Sequence, residues 1–542
     1  MRLLEKSDFG SWPSYADSFV PDMIRVRKEG SHMLVSREPQ GQLLGDFLFE
    51  QMIPANHPLR EIDAILDLQF VNKELTHLYC PEQGRPAIDP ETMVRLELLQ
   101  YLYDLSDREL VANLQVNVAF RWFARLSTID EMIDDTTLCV FRKRLGPELH
   151  KWLLDQLLEQ ARQAGWVKER RHLLDATHMR ADVADRRPAE ALAQANAVLR
   201  RDISRLAPSR CLPEPVPTCR RFAPNQDDIE SMARETQELL DEGKEALREY
   251  HQPGSSLAER LAGEMEVARA VLEGVLHPDE TDRTISMVDP DARFGAKSSS
   301  HLFTGYKAAL MMDADSHLLT AVDVVPGGQN DSEHMLTLVD DELGRGLHPA
   351  EIVADSGYAT GPNRAGLAER DILPTMPVRK KNHPSGLFPQ ELFSFEPGTM
   401  TVQCPANQET RFHFPDRHGT GEYFTFPKRI CAACVRRPQC TGPTSRRRIW
   451  ISKYYRQEQA ARVRMKSPEW REALLERYRI EPKCAEVKRF HGLHRARYRG
   501  LPKVRIQAYL TALVVNLKRM AKLAFGSLSR APLKAAVANG VV

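Results

Sequence analysis

The chain has 542 residues, with 75 Lys and Arg against 74 Asp and Glu, so its net charge alone indicates no class of partner. This length predicts roughly three to four domains. The sequence contains no run of 18 or more apolar residues and no secretory signal, which excludes a transmembrane helix and predicts a cytoplasmic protein. Nine cysteines, an odd number, favour free thiols or metal ligands over a disulfide framework.

Residues 1–165 are predicted to form a helical N-terminal domain. Apolar positions recur at helical spacing in DPETMVRLELLQYLYDL, and SDRELVANLQVNVAFRWFARL follows with Ser106 as a cap. In DDTTLCVFRKRLG, Asp135 is expected to cap a further helix that carries Arg142, Lys143 and Arg144. A helix, a short link and a basic helix outline a helix-turn-helix and predict DNA contact. An ordinary helical bundle with a polar rim is an equally good interpretation.

Residues 166–384 change to an alternation of strands and helices. HLLDATHMRADV predicts a buried strand that reaches Asp175, and TGYKAALMMD and HLLTAVDVVPGG predict a hairpin. After the helical segment NDSEHMLTLVDDELGRGL, EIVADSGY predicts another buried strand, which ends at Asp355. Residues 185–285 return to helical periodicity and are interpreted as an insertion. The alternation predicts an α/β sheet core.

Residues 385–450 are rich in Pro, Gly and polar side chains and contain Cys404, Cys431, Cys434 and Cys440. The Cys-x2-Cys spacing is typical of a zinc knuckle, and the other two cysteines would complete a tetrahedral site. We therefore predict a structural Zn²⁺ in a separate, cysteine-bearing subdomain. Two alternatives remain open at this point: four unrelated reduced thiols, or His413 or His418 in place of Cys404.

A basic block follows, with about 22 Lys and Arg against about six Asp and Glu between residues 428 and 503. Such a one-sided segment predicts a surface that faces a polyanion, with a solvated helix face as the alternative. Glu481 and Glu486 nevertheless stand within it, although each carboxylate repels phosphate. These acids must either neutralise neighbouring cations or bind something positive.

Three acids are candidates for chemistry. Asp175 and Asp355 each follow an apolar strand, where a charge is costly unless it is used or paired. For Asp355 a simple turn or helix cap is an equally good interpretation. On a continuous helix Glu481 would share one face with Arg477 and Lys488, although Pro482 predicts that a helix begins or bends there. An ordinary intrahelical ion pair is the alternative for Glu481.

In combination, these segments resemble the DDE transposases of bacterial insertion sequences. The segment from Leu44 to Leu145 is similar to the N-terminal domain of that group, HLLDATHMRADV to its first-aspartate strand, and EIVADSGY to its second-aspartate strand. DPDARFGAKSSSHLFTGYKAALMMD resembles the intervening strand region. The spacing Arg477-x3-Glu481-x6-Lys488 resembles the group's tyrosine, arginine, glutamate and lysine signature, with Leu474 in place of the tyrosine.

The resemblance implies the fold and its domains. We expect an RNase H-like mixed α/β sheet core flanked by helices, formed by residues 166–384 and completed by a basic helical part at 451–530. A helical N-terminal domain (1–165), a helical insertion (about 185–285) and a cysteine-rich insertion (385–450) would surround it.

The resemblance also implies the activity. Asp175, Asp355 and Glu481 would bind two Mg²⁺ or Mn²⁺ ions, and Arg477 and Lys488 would hold phosphate beside them. The reactions would be cleavage of double-stranded DNA at terminal inverted repeats and strand transfer into target DNA. A homo-oligomer acting on the nucleoid is implied as well.

Nine basic side chains are the predicted DNA contacts: Arg142, Lys143, Arg144, Arg446, Arg447, Arg448, Arg489, Arg495 and Arg497. Two other functions remain open. One is a metal-dependent DNA nuclease without strand transfer. The other is a domesticated, zinc-bearing DNA-binding protein that no longer cuts, against which the three intact acids argue.

Overall fold

The computed structural model describes ten stretches of the chain, and residues 1–42, at the start of the predicted N-terminal domain, lie outside them. The described ranges are 43–79, 87–127, 133–183, 188–216, 226–250, 255–279, 282–298, 301–378, 386–441 and 446–526. Within these ranges we find no helix that combines the length and the hydrophobicity needed to span a bilayer.

The N-terminal part is helical, and its helices begin at good capping residues. Asp89 accepts a hydrogen bond from the backbone of α4, and Ser106 and Glu109 form a reciprocal capping box at α5. α7 is interrupted at Gly146, which has a φ of 67° and precedes Pro147. Within the described residues the helices are α1 (Leu43–Met52), α2 (Pro58–Ile65), α3 (Gln69–Leu75), α4 (Pro90–Tyr103), α5 (Asp107–Val116), α6 (Val118–Phe123) and α7 (Asp135–Gln163), with a 3-10 turn at Thr76–Leu78.

A mixed six-stranded sheet forms the centre of the molecule. Its strands are β1 (Arg171–Arg180), β2 (Arg293–Ser298), β3 (His301–Asp313), β4 (Leu319–Pro326), β5 (Glu351–Ala354) and β6 (Leu373–Thr375). The order is β2-β3-β1-β5-β6. β2 pairs with the first residues of β3, and β4 pairs with the residues of β3 that follow them. β1 is antiparallel to β3 and parallel to β5, while β5 is parallel to β6. This arrangement confirms the predicted RNase H-like mixed α/β core.

One glycine allows the two longest strands to approach closely. Gly305 has a φ of 151°, and a Cβ placed there would overlap the carbonyl oxygen of Met179. At the end of β1, the N–H of Ala181 donates to the carbonyl of Thr304 on β3. The N–H of Arg180 donates to the carbonyl of His494, which lies after α17. Gly305 thus marks the end of the sheet where β1 meets the C-terminal part of the chain.

Helices cover both faces of the sheet. In the sequence, α11 (Met335–Gly344) follows β4, and α12 (Gly361–Glu369) follows β5. Four more helices follow the cysteine-bearing region: α15 (Tyr455–Arg464), α16 (Pro468–Arg477), α17 (Ile480–Phe490) and α18 (Leu501–Phe525). One hydrophobic cluster is shared by the N-terminal helices, one face of the sheet, α17 and α18, and a second joins the opposite face to α11 and α12.

Two further parts of the chain have their own hydrophobic clusters. The helical insertion consists of α8 (Pro188–Leu206), α9 (Gln226–Tyr250) and α10 (Ser256–Leu276), which pack around a core of Leu, Ala and Met side chains. The cysteine-bearing region packs around Phe393, Phe424 and Phe426. It contains two three-stranded sheets. One consists of β7 (Ser394–Glu396), β8 (Thr401–Gln403) and β9 (Glu409–Thr410), and the other of β10 (His413–Pro415), β11 (Gly421–Thr425) and β12 (Arg448–Ser452). Two short helices, α13 (Lys428–Ala432) and α14 (Arg437–Cys440), lie between β11 and β12 in the sequence.

The predicted elements are found, with small changes at their ends. The cap of α7 is Asp134, which accepts from the backbone of Thr136, and the predicted cap Asp135 is the first helical residue. Pro482 stands in the first turn of α17, where its missing N–H costs no helical hydrogen bond. The domain boundaries stay predictions, since the largest hydrophobic cluster continues from α7 into β1.

Candidate active site

The first two acids lie next to each other on neighbouring parallel strands. Leu174 of β1 pairs with Ala354 of β5, so that Asp175 and Asp355 each come one residue after this pair. Asp355 follows the last residue of β5, and its Oδ1 accepts from the backbone N of Gly357 at 2.7 Å. The parallel register therefore places the two carboxylates side by side, which neither strand sequence reveals alone.

Glu481 reaches this edge from α17. The helix packs through Ile480 and Val487 into the largest hydrophobic cluster. Beyond its end, His491 is buried and donates from Nδ1 to the carbonyl of Tyr101 at 2.8 Å, while Lys518 donates to Nε2 at 3.1 Å. Burial, together with Lys518, lowers the pKa of His491 to about 4, so the ring is neutral. These contacts fix α17 against the N-terminal helices.

The three acids interact electrostatically. Burial, followed by the neighbouring Asp355 and Glu481, raises the pKa of Asp175 to about 6. The backbone N–H of Ala176 and the guanidinium of Arg477 act in the opposite direction, but they do not cancel the increase. The structure therefore brings together Asp175, Asp355, Glu481 and Arg477, as a site that attracts additional positive charge.

The two predicted cations flank the acids. Arg477 is the last residue of α16, and its guanidinium contacts the Glu481 carboxylate at 3.3 Å. Lys488 lies in the last turn of α17, with its Nζ 3.3 Å from Nδ1 of His178 on β1. The ion pair of Arg477 with Glu481, which was the alternative interpretation of Glu481, is thus present. It joins two separate helices instead of lying along one.

Glu486, the other acid in the basic block, has a different environment. Its carboxylate pairs with Lys483 at 2.9 Å and with Lys518 at 2.8 Å. Although burial opposes the change, these two ammonium groups lower the pKa of Glu486 to about 2. Glu486 neutralises neighbouring cations, which leaves Glu481 as the acid that faces Asp175.

The side chains fit divalent metal ions by their chemistry, since hard cations prefer carboxylate oxygens. Among the described residues, however, no group of three or more His, Cys, Asp or Glu side chains is already arranged at metal-binding distances. The Glu481 carboxylate is half-exposed and held by Arg477. Metal binding would therefore require this side chain to turn from Arg477 towards the two aspartates.

Tyr358 was not assigned a role by the sequence interpretation. Its ring is buried, its hydroxyl has no hydrogen-bond partner within the described residues, and it follows Asp355 by three positions. Burial, then Asp331, Asp175 and Asp355, raise its pKa well above the ordinary value, so the phenol stays neutral. The only sequence signal was its place in the DSGY segment.

Two known family models match this chain, one in its N-terminal part and one in its C-terminal part. Residues 47–144 match the family model "Transposase domain (DUF772)", and residues 403–521, which include α17 and Glu481, match "Transposase DDE domain". These two matches support the assignment of the chain as a DDE transposase of an insertion sequence.

A curated relative and the solved structures add little to this. Over 87 residues the transposase is 36% identical to "Uncharacterized protein ORF8 in nfe locus" from Rhizobium meliloti. The match covers 16% of this chain and 42% of that protein, less than half its length. No solved structure gives a significant match.

Three of the predicted DNA contacts have partners inside the transposase, and their contact with DNA stays a prediction. Arg142 is buried and pairs with Asp107. Arg447 is buried and donates to backbone carbonyls. Arg497 is partly buried and pairs with Asp104. Apart from Cys440, these partners lie at least 35 residues away, so periodicity and charge could not foresee them.

The other six predicted DNA contacts are exposed: Lys143, Arg144, Arg446, Arg448, Arg489 and Arg495. Two of them stack on aromatic rings, Arg144 on Tyr79 and Arg448 on Phe414 and Tyr423. Arg495 pairs with Asp182 at 2.7 Å. The DNA contact of these six side chains stays a prediction.

The four cysteines of the predicted zinc site share a single cavity. Cys404, Cys431, Cys434 and Cys440 all line it, and they come from three separate segments of the chain. Burial raises the pKa of Cys440, and the other three thiols add to the effect. The alternative histidines are not among the lining residues. His413 lies in β10 and its Nε2 is 3.2 Å from Glu422.

Gly357 is required for the position of Asp355. A Cβ at residue 357 would lie 2.8 Å from Asp355 Oδ1 and would displace the carboxylate. We expect Gly357→Ala to lower DNA cleavage by the transposase roughly 10²-fold, since a small misplacement of a reacting group has an effect of this size. Rates on an end-containing DNA substrate measure this. Gly344→Ala is the matched control, because nothing lies within 4 Å of its added Cβ, and equal rates for both variants would contradict the prediction.

Above pH 6 the ionised carboxylate of Asp175 should lower the free energy of unfolding of the transposase. Because its pKa is raised in the folded state, its favourable contribution is complete below pH ~4 and is lost as the pH rises towards 6. We expect Asp175→Asn to increase the free energy of unfolding by about 1–3 kcal/mol at pH 8, and to have little effect at pH 4. Denaturant titrations without added Mg²⁺ or Mn²⁺ test this. A variant that is less stable at pH 8 would contradict it.

Proposed function

We propose that this transposase cleaves DNA at the ends of its element and joins those ends to target DNA, using the acids Asp175, Asp355 and Glu481. The observation that carries the proposal is the register of β1 and β5, which sets Asp175 beside Asp355 at the edge that α17 approaches. Divalent metal ions, when bound by such carboxylates, would activate the attacking oxygen and stabilise the leaving oxygen of a phosphodiester.

The chain's own residues have separate tasks in this proposal. Asp175 lies within β1 and Asp355 directly follows β5, so the sheet holds them as a rigid pair of ligands. Glu481 exchanges its contact with Arg477 for the metal site. The guanidinium of Arg477 is then free to bind a phosphate oxygen, and Lys488 supplies a second positive charge beside β1.

Exposed cations on α17 and in the cysteine-bearing region support binding of the DNA backbone. Arg489 follows Lys488 on α17 and is exposed, and Arg448 is exposed on β12. Such contacts neutralise phosphates without reading sequence, so affinity should fall steeply with salt. Double-stranded DNA is accordingly the proposed partner, bound by more than one copy of the chain because two element ends must be joined.

The experiment uses purified protein, DNA that carries the element's terminal inverted repeats, a target plasmid and Mg²⁺ or Mn²⁺. We expect nicked ends and, in the same reaction, products in which the ends are joined to the plasmid. Nicking without joined products would instead support a DNA nuclease. Specific end binding without any nicking, in several divalent metals, would overturn the proposal.

A further inference from the structure

The cysteine-bearing region has little hydrophobic material to hold it together. Its cluster consists of a few aromatic and aliphatic side chains, and its strands are two to five residues long. Regions of this kind commonly need a disulfide or a metal for stability. All four of its cysteines are free thiols and line one cavity of about 30 Å³.

The local backbone presents the thiols from turns. After Cys404 the chain reverses at once, because its N–H donates to Gln408 and its carbonyl accepts from Asn407. Cys431 and Cys434 are joined by a backbone hydrogen bond of 3.4 Å at the end of α13, and Cys440 ends α14. A turn on one side and a Cys-x2-Cys segment on the other are arrangements that place thiolates around a tetrahedral metal.

Arg447 is an independent sign that the cavity contains negative charge. Its side chain lines the same cavity and is only 9% exposed. It donates to the carbonyls of Cys440 and Phe388, but its Nε is buried and has no hydrogen-bond partner in the described residues. Within the same residues no carboxylate pairs with it. A buried guanidinium without a counter-ion is costly, and neutral thiols do not offset that cost.

We propose that Cys404, Cys431, Cys434 and Cys440 bind one structural Zn²⁺, with Arg447 as its counter-charge. Binding releases the four thiol protons to solvent, so the Zn²⁺ and four thiolates carry a charge of −2, which Arg447 reduces to −1. Among the described residues the four thiols do not form a ready metal-binding arrangement, and the ion would draw them together. This proposal does not depend on the proposed DNA chemistry.

The site would also support the segment that leads to the candidate active site. Tyr455, the first residue of α15, packs edge-on against Phe395 with ring centroids 5.0 Å apart. At the other end of α15, Arg464 pairs with Glu351 of β5 at 2.6 Å. Loss of the ion should therefore loosen the connection between the cysteine-bearing region and the strand that ends at Asp355.

The first test is the metal content of the full-length chain, purified from zinc-supplemented culture without chelators. We expect about one zinc per chain, lost in the double variant Cys431→Ser, Cys434→Ser. Cys211→Ser is the matched control, since Cys211 is an exposed thiol within the helical insertion, between α8 and α9, and this variant should retain its zinc. Wild-type protein without zinc, wild-type protein containing iron instead, or zinc retained by the double variant would each overturn the proposal.

A second measurement remains informative if the double variant fails to fold. Cobalt(II) added to metal-free wild-type chain should give the strong thiolate charge-transfer and tetrahedral absorption bands of a four-sulfur site, and zinc should remove them. A weakly coloured, six-coordinate spectrum would overturn the proposal. Arg447→Gln should lower zinc affinity roughly tenfold in competition with a chromophoric chelator, while Arg447→Lys should lower it less. Equal affinities in all three proteins would refute the role of Arg447.

Discussion

Asp175→Asn, Asp355→Asn and Glu481→Gln should each reduce DNA cleavage and strand transfer by at least about 10³-fold. Each replacement keeps the size of the side chain but removes one negative charge from the group that the structure brings together. The affinity for end DNA should be unchanged or slightly higher, because a carboxylate that repels phosphate has been removed. Cleavage rates and binding isotherms on the same DNA measure the two effects separately.

Glu472→Gln is the matched control for these variants. Glu472 is exposed on α16, the helix before α17, and its replacement removes the same charge from the surface. We expect it to cleave at the wild-type rate. If the three active-site variants behaved like Glu472→Gln, the assignment of Asp175, Asp355 and Glu481 would be wrong.

Glu486→Gln should act on stability instead of chemistry. It leaves Lys483, which is 8% exposed, and Lys518 without their shared carboxylate. Loss of one partner from a buried ion pair costs about 3 kcal/mol, because the remaining charge stays desolvated. We expect the free energy of unfolding at pH 7 to fall by about this amount. Cleavage measured well below the melting temperature should stay within about tenfold of wild type.

The pH dependence separates this effect from a general packing defect. The pKa of Glu486 is lowered to about 2 in the folded chain, so its contribution is complete above its ordinary pKa near 4 and is lost as the pH falls towards 2. Wild type and Glu486→Gln should therefore converge in stability at low pH. A constant difference between pH 7 and pH 3, or a loss of cleavage as large as that of Glu481→Gln, would contradict this role.

Much of the fold could be predicted because its signals are local. The strand that contains Asp175, the hairpin of β3 and β4 and the helices of the insertion each have an apolar pattern bounded by turn or capping residues. The cap of α7 was placed one residue too late because Asp134 and Asp135 are adjacent and chemically equivalent. Local pattern cannot separate two such neighbours.

The remaining features depend on partners distant in the sequence. Nothing near Arg142 indicates that it is buried against Asp107, and Arg171 shares a network with Glu351 and Glu476 across more than 300 residues of chain. The pairing of Asp175 with Asp355 came from the family resemblance, and the register of two parallel strands gives it a physical basis. Glu481 and Glu486 could be told apart only by their neighbours in space.

The most direct measurement is a crystal structure of the full chain with end DNA and Mn²⁺, in which anomalous scattering locates the manganese. The account predicts manganese in contact with the carboxylates of Asp175, Asp355 and Glu481, with Arg477 turned from Glu481 towards a DNA phosphate. Manganese bound elsewhere, with these three carboxylates apart and Glu481 still paired with Arg477 on bound DNA, would contradict it.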